Sequence, residues 1–470
     1  MEAKNISKVI YKDSSIIFLN RLLLSLSRVV TTYIFAHRLS IEVYGAYQNF
    51  WIQLGTLFAV AGLSLSSFVF SYNSEKIIQI FRNLSRKNYL IGSLIVLSCG
   101  LLFGWMQHKT EVGFGLAFLF LLWHTLSIVL DNVLTAFKKF RFLLVINAGY
   151  FLLFVSVHLY VLQRPSYHFS LLILLLLALV SIKSLLIILK LKGILKEQSP
   201  HDSLEDKSFL RFWRHLYFFE AVQMFWGGVD KFAVSLIAPA TISAIYQNAT
   251  YTIPLLAIVF SAVSSAVFLQ FSDINGGLKR EAEILKSSGK IFAIVAIPLF
   301  FLLMAFSKEF ITLVFSAKYL SSVPIFRMSL LSVPFSIFNY LILFQRHEKG
   351  FIINKGMFID IVGSIILAIP LYLWLGLKGI PLAIAISTLF QCLFYLRQHK
   401  KILQADYATF LPFRDWIIKT ITFGLVIFSL KYCFTELLSF PLIWGLFITA
   451  AIVGILMFLF IVKETKLFRR

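Results

Sequence analysis

The chain has 470 residues, of which 59% are hydrophobic and 14% charged, with mean hydropathy +0.85 and formal net charge +22. Soluble domains run at roughly 45–50% apolar and about 25% charged, so composition excludes a soluble protein and leaves an all-α polytopic membrane protein. In a soluble chain the basic excess would point to nucleic acid; here it belongs to topology, and no nucleic-acid partner is expected.

A transmembrane helix needs about 20 apolar residues to cross the hydrocarbon core. On that ruler fourteen spans are predicted: 14–36, 46–70, 88–106, 113–136, 142–162, 169–189, 213–236, 246–270, 290–306, 324–345, 355–375, 379–396, 416–434 and 441–462. Residues 1–13 are polar, and the apolar run behind them is too long for a signal-peptide core and lacks a small-residue exit. The first span is therefore expected to act as the insertion signal and to stay in the protein. With the N-terminus inside, the inner segments hold 32 of the 44 Lys and Arg and the outer segments hold 7. That asymmetry satisfies the positive-inside rule and predicts both termini in the cytoplasm.

The first span carries Arg21, Ser25, Arg28 and Thr32 at i, i+4, i+7 and i+11, a cationic stripe on an apolar helix. After His37-Arg38-Leu39-Ser40-Ile41-Glu42 the second span opens on Tyr44-Gly45-Ala46 and then Tyr47-Gln48-Asn49. The seventh span carries Glu220, Gln223, Gly227 and Asp230 on one face, with Lys231 beside them, and the eighth opens on Tyr246-Gln247-Asn248. The two Tyr-Gln-Asn triplets lie 199 positions apart, each at the same point of a helix–loop–helix unit. We read this as internal repetition, which in transporters brackets the substrate path. The organisation expected is two pseudo-symmetric six-helix bundles, 1–189 and 213–396, joined by a polar cytoplasmic linker at 190–212 and followed by two further helices in 397–470.

A charge at mid-bilayer costs several kcal/mol and normally faces a cavity or a partner. A substrate cavity is thus expected to be lined by Arg21, Ser25, Arg28, Tyr47, Gln48, Asn49, Glu220, Gln223, Asp230, Tyr246, Gln247 and Asn248, with Arg21 and Glu220 at equivalent positions of the two halves. Candidates for ion coupling are Glu220, Asp230 and Asp360. Two readings stand for several of these charges: Arg21 can snorkel to the headgroups, and Asp230, Lys231 and Asp360 can be interfacial. Lys183 and Arg327, nearer span ends, are expected to snorkel. Asp131-Asn132, before Lys138-Lys139-Phe140-Arg141, is expected to be a topological anchor, with contact between that basic group and a lipid pyrophosphate as the alternative. Prolines in or beside the late spans (Pro254, Pro298, Pro334, Pro370, Pro381, Pro441) are read as ordinary transmembrane prolines, with a hinge as the alternative.

No phosphate-binding loop, H-E-x-x-H, G-x-S-x-G or paired-cysteine motif is present, so no catalytic constellation, metal or cofactor is expected. Cys99, Cys392 and Cys433 are isolated in apolar stretches and read as small packed hydrophobes.

The fourteen spans, Tyr44-Gly45-Ala46-Tyr47 after Leu39-Ser40-Ile41-Glu42, and Phe315-Ser316-Ala317-Lys318-Tyr319 through Arg327 resemble the polysaccharide exporters. These are the O-antigen and repeat-unit flippases of the multidrug/oligosaccharidyl-lipid/polysaccharide superfamily. The family often has Leu-Gly where this chain has Leu39-Ser40, and Phe-Gly where it has Phe315-Ser316. The resemblance implies two facing six-helix bundles with a cavity bordered by spans one, two, seven and eight. It implies a polyprenyl-pyrophosphate-linked oligosaccharide moved from the inner to the outer leaflet of the bacterial cytoplasmic membrane, without an enzymatic step. Arg21 and Arg28 would meet the pyrophosphate, since Arg pairs bidentately with phosphate oxygens. The coupling ion, Na+ or H+, is left open. Expected partners are the lipid-linked oligosaccharide, membrane lipids and other polysaccharide-assembly proteins. The alternatives are a cation-coupled multidrug exporter of the same fold and a membrane-embedded glycan polymerase or ligase, for which the short outer loops leave little room.

Overall fold

The structure, a computed structural model, describes residues 2–65, 77–80, 84–164, 167–196, 208–251, 277–338 and 340–468. Most of the predicted eighth span, 252–270, lies outside the described residues. Every regular element among those described is helical. Among the described residues nine stretches are long and apolar enough to cross a membrane, and one of them, Gly350–Leu403, is two helices joined by a single tight turn. The chain is an all-α polytopic membrane protein, divided into two compact units at 244/245.

The first unit begins with α1 (Glu2–Arg38) and α2 (Ile41–Ala61). The turn between them is set by Ser40, whose hydroxyl caps α2 by accepting from the Val43 amide at 3.3 Å, with Glu42 in the first turn; both favour a helix start. α3 (Arg86–Gln107), α4 (Gly113–Ala136), α5 (Phe140–Leu162) and α6 (Phe169–Lys196) follow. α1 lies along α5, α3 along α4, and α6 against α4 and α5. Lipid is as apolar as a leucine side chain, so close packing and polar bonds hold such helices together. Here the packing is aromatic: Phe50 meets Phe103, Phe120 and Phe169 at 5.1–5.6 Å between ring centroids. The polar bonds are few and buried. Asn147 donates to Asn20 at 3.2 Å, joining α5 to α1. His158 donates from Nδ1 to the Phe154 carbonyl (2.7 Å), which leaves Nε2 to accept from the Tyr47 hydroxyl at 3.1 Å.

Lys183 corrects the snorkelling expectation. It is 5% exposed, and its ammonium bonds Asp131 Oδ2 of α4 at 2.6 Å while standing 4.9 Å from the centroid of the Tyr150 ring of α5. Asp131 is therefore half of a buried ion pair rather than a topological anchor. The pair, with its cation–π contact, ties α4, α5 and α6 at one level.

The first unit also takes in the seventh predicted span, which is two helices: α7 (Ser208–Trp226) and α8 (Val229–Ile237), interrupted at Gly227-Gly228. α9 (Ala240–Ala249) follows.

In the second unit α10 (Gly277–Ala305) is the central post. The helices predicted as an addition, α16 (Phe413–Tyr432) and α17 (Leu442–Phe468), pack along it through Ala293, Ile297, Phe306, Phe423, Ile427, Leu446 and Val453. Polar ties reinforce this. Trp416 donates to the Gly289 carbonyl (3.0 Å), Lys419 to the Lys290 carbonyl (2.9 Å) and to Asp415, and Lys290 faces Glu464 at 3.5 Å. Between them run α11 (Ser307–Phe315), α12 (Val323–Leu330) and α13 (Ile342–Arg346), then the hairpin α14 (Gly350–Leu375) and α15 (Gly379–Leu403). Glu281 of α10 is buried and holds Arg346 at 3.2 Å and His347 at 2.8 Å. Arg327 is exposed, as expected, but its guanidinium is held by the Ser307 hydroxyl at 2.8 Å.

The two departures from the exporters' Gly pattern have opposite consequences. Ser40 improves on glycine as a helix cap. Ser316, after α11, has φ 93° and ψ 165°, a region that is essentially glycine's alone and costs about 1–3 kcal/mol for other residues. Ser316→Gly is accordingly expected to stabilise the protein by about 1 kcal/mol, after glycine's entropic cost of about 0.5–1 kcal/mol is offset. The thermal midpoint in detergent would rise; an unchanged or lowered midpoint would refute the strain.

Candidate functional site

One face of α2 organises the first unit's polar contacts. Gly45, Asn49 and Gln53 recur every four residues, so they stack on one side of the helix, with Thr56 a turn further on. At the Gly45 end the backbones nearly touch: a Cβ on Gly45 would lie 2.0 Å from the carbonyl oxygen of Ala240. One turn on, Asn49 Oδ1 accepts from the Ser243 hydroxyl at 2.5 Å. At the next turn Gln53 donates to Ser235 Oγ (3.3 Å) and receives the Gln107 amide at 2.7 Å. Thr56 then lies beside Gly228, at the interruption between α7 and α8. This is a zipper of small and polar residues joining α2 to α8 and the start of α9.

Beyond Thr56 the same helix faces α7. Phe58, Ala59, Gly62 and Ser64 on one side and Glu220, Gln223 and Met224 of α7 on the other enclose a hollow of about 250 Å³. The predicted second span runs to 70, of which 66–70 lie outside the described residues, and α2 itself ends at Ala61. Leu63 (φ 53°) and Ser64 (φ 48°) are both left-handed, a conformation costing roughly 1–2 kcal/mol per non-glycine residue. The turn is pinned by Trp213 of α7, which donates to the Leu63 carbonyl at 2.8 Å. Irregular backbone at membrane depth is tolerated where it borders protein or a wet cavity; α2 ends here, and α7 gives way to α8 at Gly227-Gly228.

The predicted site residues distribute as follows. Glu220 and Gln223, three apart on α7, wall the hollow together. Arg28 is exposed on α1, within electrostatic reach of Tyr47, His124 and Tyr150, and Ser25 is half-buried. The Arg21 side chain lies outside the described residues. Tyr47 is turned into the aromatic packing with Phe35, Trp51 and His158. Gln48 donates to the Tyr44 hydroxyl at 3.0 Å, and Asn49 is in the zipper. Asp230 sits in the first turn of α8 and acts on its neighbour Lys231. Tyr246, Gln247 and Asn248 are buried in the second unit. There the end of α9 is held by hydroxyls of Ser322, at the Ile245 carbonyl (2.8 Å), and Ser329, at the Ala249 carbonyl (3.0 Å). Asp360 of α14 accepts from Thr388 of α15 at 3.3 Å.

Sequence reasoning missed Gln53, Ser64, Ser235 and Ser243. The last three are single hydroxyls with no charge to mark them. Gln53, though, continues the four-residue spacing of Gly45 and Asn49 and could have been found from it.

Residues 119–324 match a family model described as polysaccharide biosynthesis protein. No curated protein matches the chain. Among solved structures it is similar to "Lipid II flippase MurJ, inward closed conformation", with TM-score 0.66 and 17% identity over 98% of this chain and 100% of that one. It is also similar to an inward-facing multidrug resistance MATE family transporter of the MOP superfamily, with TM-score 0.56 and 13% identity over 82% and 94%. The resemblance read from the residues is thus borne out: the chain carries a polysaccharide-biosynthesis match over residues 119–324 and, over nearly its whole length, the fold of the multidrug/oligosaccharidyl-lipid/polysaccharide exporters.

Proposed function

We propose that the protein is a flippase that carries a polyprenyl-pyrophosphate-linked oligosaccharide from the inner to the outer leaflet of a bacterial cytoplasmic membrane, with both termini inside. The observation that carries this reading is the face of α2, zipped at one end by Gly45, Asn49 and Gln53 and hollow at the other beside Glu220. On the topology read from the charges, the zipped end is the outer one. A path shut outside and hollow further in is what one half of an alternating-access cycle requires. The fold and the family match support the same class of substrate mover. No step in this cycle needs a bond made or broken, so the protein acts as a transporter rather than an enzyme.

Arg28 is the cation placed to meet the headgroup: it is exposed, and it stands on the helix preceding the zipper. Guanidinium–phosphate bonds are charge-assisted and replace part of the pyrophosphate's water shell. Arg28→Ala is expected to slow flipping about ten- to a hundredfold, the loss of one such bond of about 1.5–3 kcal/mol, with insertion unaffected. The assay is lectin accessibility of a lipid-linked oligosaccharide in proteoliposomes. Wild-type rates in the variant would remove Arg28 from the path, and no flipping by the parent protein of any lipid-pyrophosphate glycan would remove the reading itself.

Export of organic cations is the second reading, favoured by a hollow whose walls include Glu220 together with Phe58 and Met224. Efflux of a cationic dye by the same proteoliposomes, without glycan flipping, would select it.

A further inference from the structure

We propose that the inner end of α4, α5 and α6 is a binding surface for an anionic phospholipid, held by Lys138, Lys139, Arg141, Lys190 and Lys192. The inference stands apart from the transport reading, because it concerns the lipid around the first unit and not the cargo. It rests on a contrast between two turns of the same shape.

The turn from α4 to α5 and the turn from α13 to α14 share one backbone conformation. Lys138 and Glu348 are left-handed, at φ 56° and 54°, and Lys139 (φ −88°, ψ 45°) matches Lys349 (φ −87°, ψ 46°). On the topology read from the charges, both turns are cytoplasmic. Their charges are handled differently. After α13, Arg346 and His347 are held by the buried Glu281. Elsewhere at the inner end of the second unit, Arg280, Lys290 and Lys400 face Glu283, Glu464 and Asp406. In the first unit Lys138, Lys139 and Arg141 are exposed, as are Lys190 and Lys192 near the end of α6. None of these cations forms an ion pair among the described residues. Asp131, the carboxylate that precedes the turn in sequence, is turned inward to Lys183. The positive-inside rule asks for Lys and Arg and is nearly indifferent to Asp and Glu, so topology does not account for the difference.

The cations are gathered at one end of three packed helices. Leu134 of α4, Leu143 of α5 and Leu191 of α6 share one buried cluster there, and the Lys190 ammonium lies 5.5 Å from the centroid of the Phe142 ring. Like charges held this close repel, and a counter-anion relieves them. The apolar surface beside them selects the anion. On α5, Arg141, Val145 and Leu152 lie on one helix face, with Val145 72% and Leu152 63% exposed. On α6, Ile182, Leu185, Leu189 and Lys192 form a second such stripe, with Leu189 64% exposed. At 1.5 Å per residue each stripe runs about 15 Å, half of the roughly 30 Å hydrocarbon core, and ends on a cation. One leaflet's length of hydrocarbon with a phosphate at its end matches that pattern. A soluble anion matches only the charges. The bound headgroup neutralises the helix ends, and so the lipid holds α4, α5 and α6 together on the inner side.

The test uses the full-length protein in detergent micelles doped with phosphatidylglycerol or, as the zwitterionic control, phosphatidylcholine. Phosphatidylglycerol is expected to raise the thermal midpoint saturably, less so in high salt, and phosphatidylcholine to leave it unchanged. Lys190→Gln/Lys192→Gln keeps the other linker cations, so its topology stands; half-saturation should weaken about fivefold for each cation removed. Lys138→Gln/Lys139→Gln/Arg141→Gln should weaken it further. Lys349→Gln/Lys401→Gln, in the second unit, should leave it as in the parent. An equal response to both lipids overturns the proposal, as does one that both first-unit variants leave intact. A response to undecaprenyl diphosphate with none to phosphatidylglycerol also overturns it and assigns the surface to the cargo. The linker's own acids are the remaining occupant. A phosphatidylglycerol response that emerges only in Glu197→Gln/Asp202→Asn/Glu205→Gln/Asp206→Asn would give the surface to them and sink the lipid site.

Discussion

Lys183→Met is expected to destabilise the protein by about 3–5 kcal/mol, the range for removing one partner of a buried ion pair. Methionine fills the space of the lysine stem, so little of that loss comes from a cavity. What remains is the Asp131 carboxylate, 14% exposed, with the ammonium that stood 2.6 Å away gone. Its other oxygen, Oδ1, already has no hydrogen-bond partner among the described residues, so none of them takes up the slack. The double variant Lys183→Met/Asp131→Asn should recover most of the loss, because apolar or neutral replacement of both partners is often close to neutral. Thermal unfolding in detergent checks this. If the single and double variants melt alike, the pair is not what holds α4 to α6.

Gly45→Val is expected to open the zipper. Real Cβ atoms essentially never sit closer than 3.0 Å to such a neighbour, and this one would meet the Ala240 carbonyl oxygen at 2.0 Å. Both partners are backbone in helices, so neither can rotate away. The helices must part, and the bond from Ser243 to Asn49 at 2.5 Å, one turn further on, is lost with them. Overpacking costs about 1–3 kcal/mol, so the zipped arrangement should lose population about tenfold or more. A cysteine pair at positions 49 and 243 would report this: efficient disulfide cross-linking in the parent background and little in Gly45→Val, with flipping falling in parallel. Undiminished cross-linking would show that the contact is not tight.

The spans legible in the sequence are those that hydropathy alone determines. The predicted 113–136 is α4 to the residue, and 142–162 and 355–375 fall within α5 and α14. Hydropathy measures transfer into oil and is blind to the path of the backbone, and so the second, seventh and tenth spans were each predicted as one helix. The seventh is interrupted at Gly227-Gly228, and two adjacent glycines were a readable warning. In the second, α2 ends at Ala61 and is followed by left-handed Leu63 and Ser64, where nothing in the residue types announces positive φ. The tenth passes from α12 through a 3-10 turn at Val333–Ile337 before α13. Lys183 was misread for a different reason: Asp131 lies 52 positions earlier, and only the packing of α6 on α4 brings the two together. Glu220 and Gln223, which line the hollow, could be singled out because polar residues with helical spacing in an apolar span are rare. Ser64, which lines it too, could not, because a lone serine in such a span is common.

The docking of α16 and α17 along α10 bears on how the chain is made. When α10 leaves the ribosome and enters the bilayer, the residues that will cover Ala293 and Ile297 lie more than a hundred positions downstream, from Phe423 onward. Until then that flank faces lipid or a chaperone, and Lys290 waits for Glu464, 174 positions later. A product cut short after α15 would be inserted yet unfinished, and membrane proteases should clear it. The second unit's core thus closes only once α16 and α17 have been made, however early its first helix is inserted.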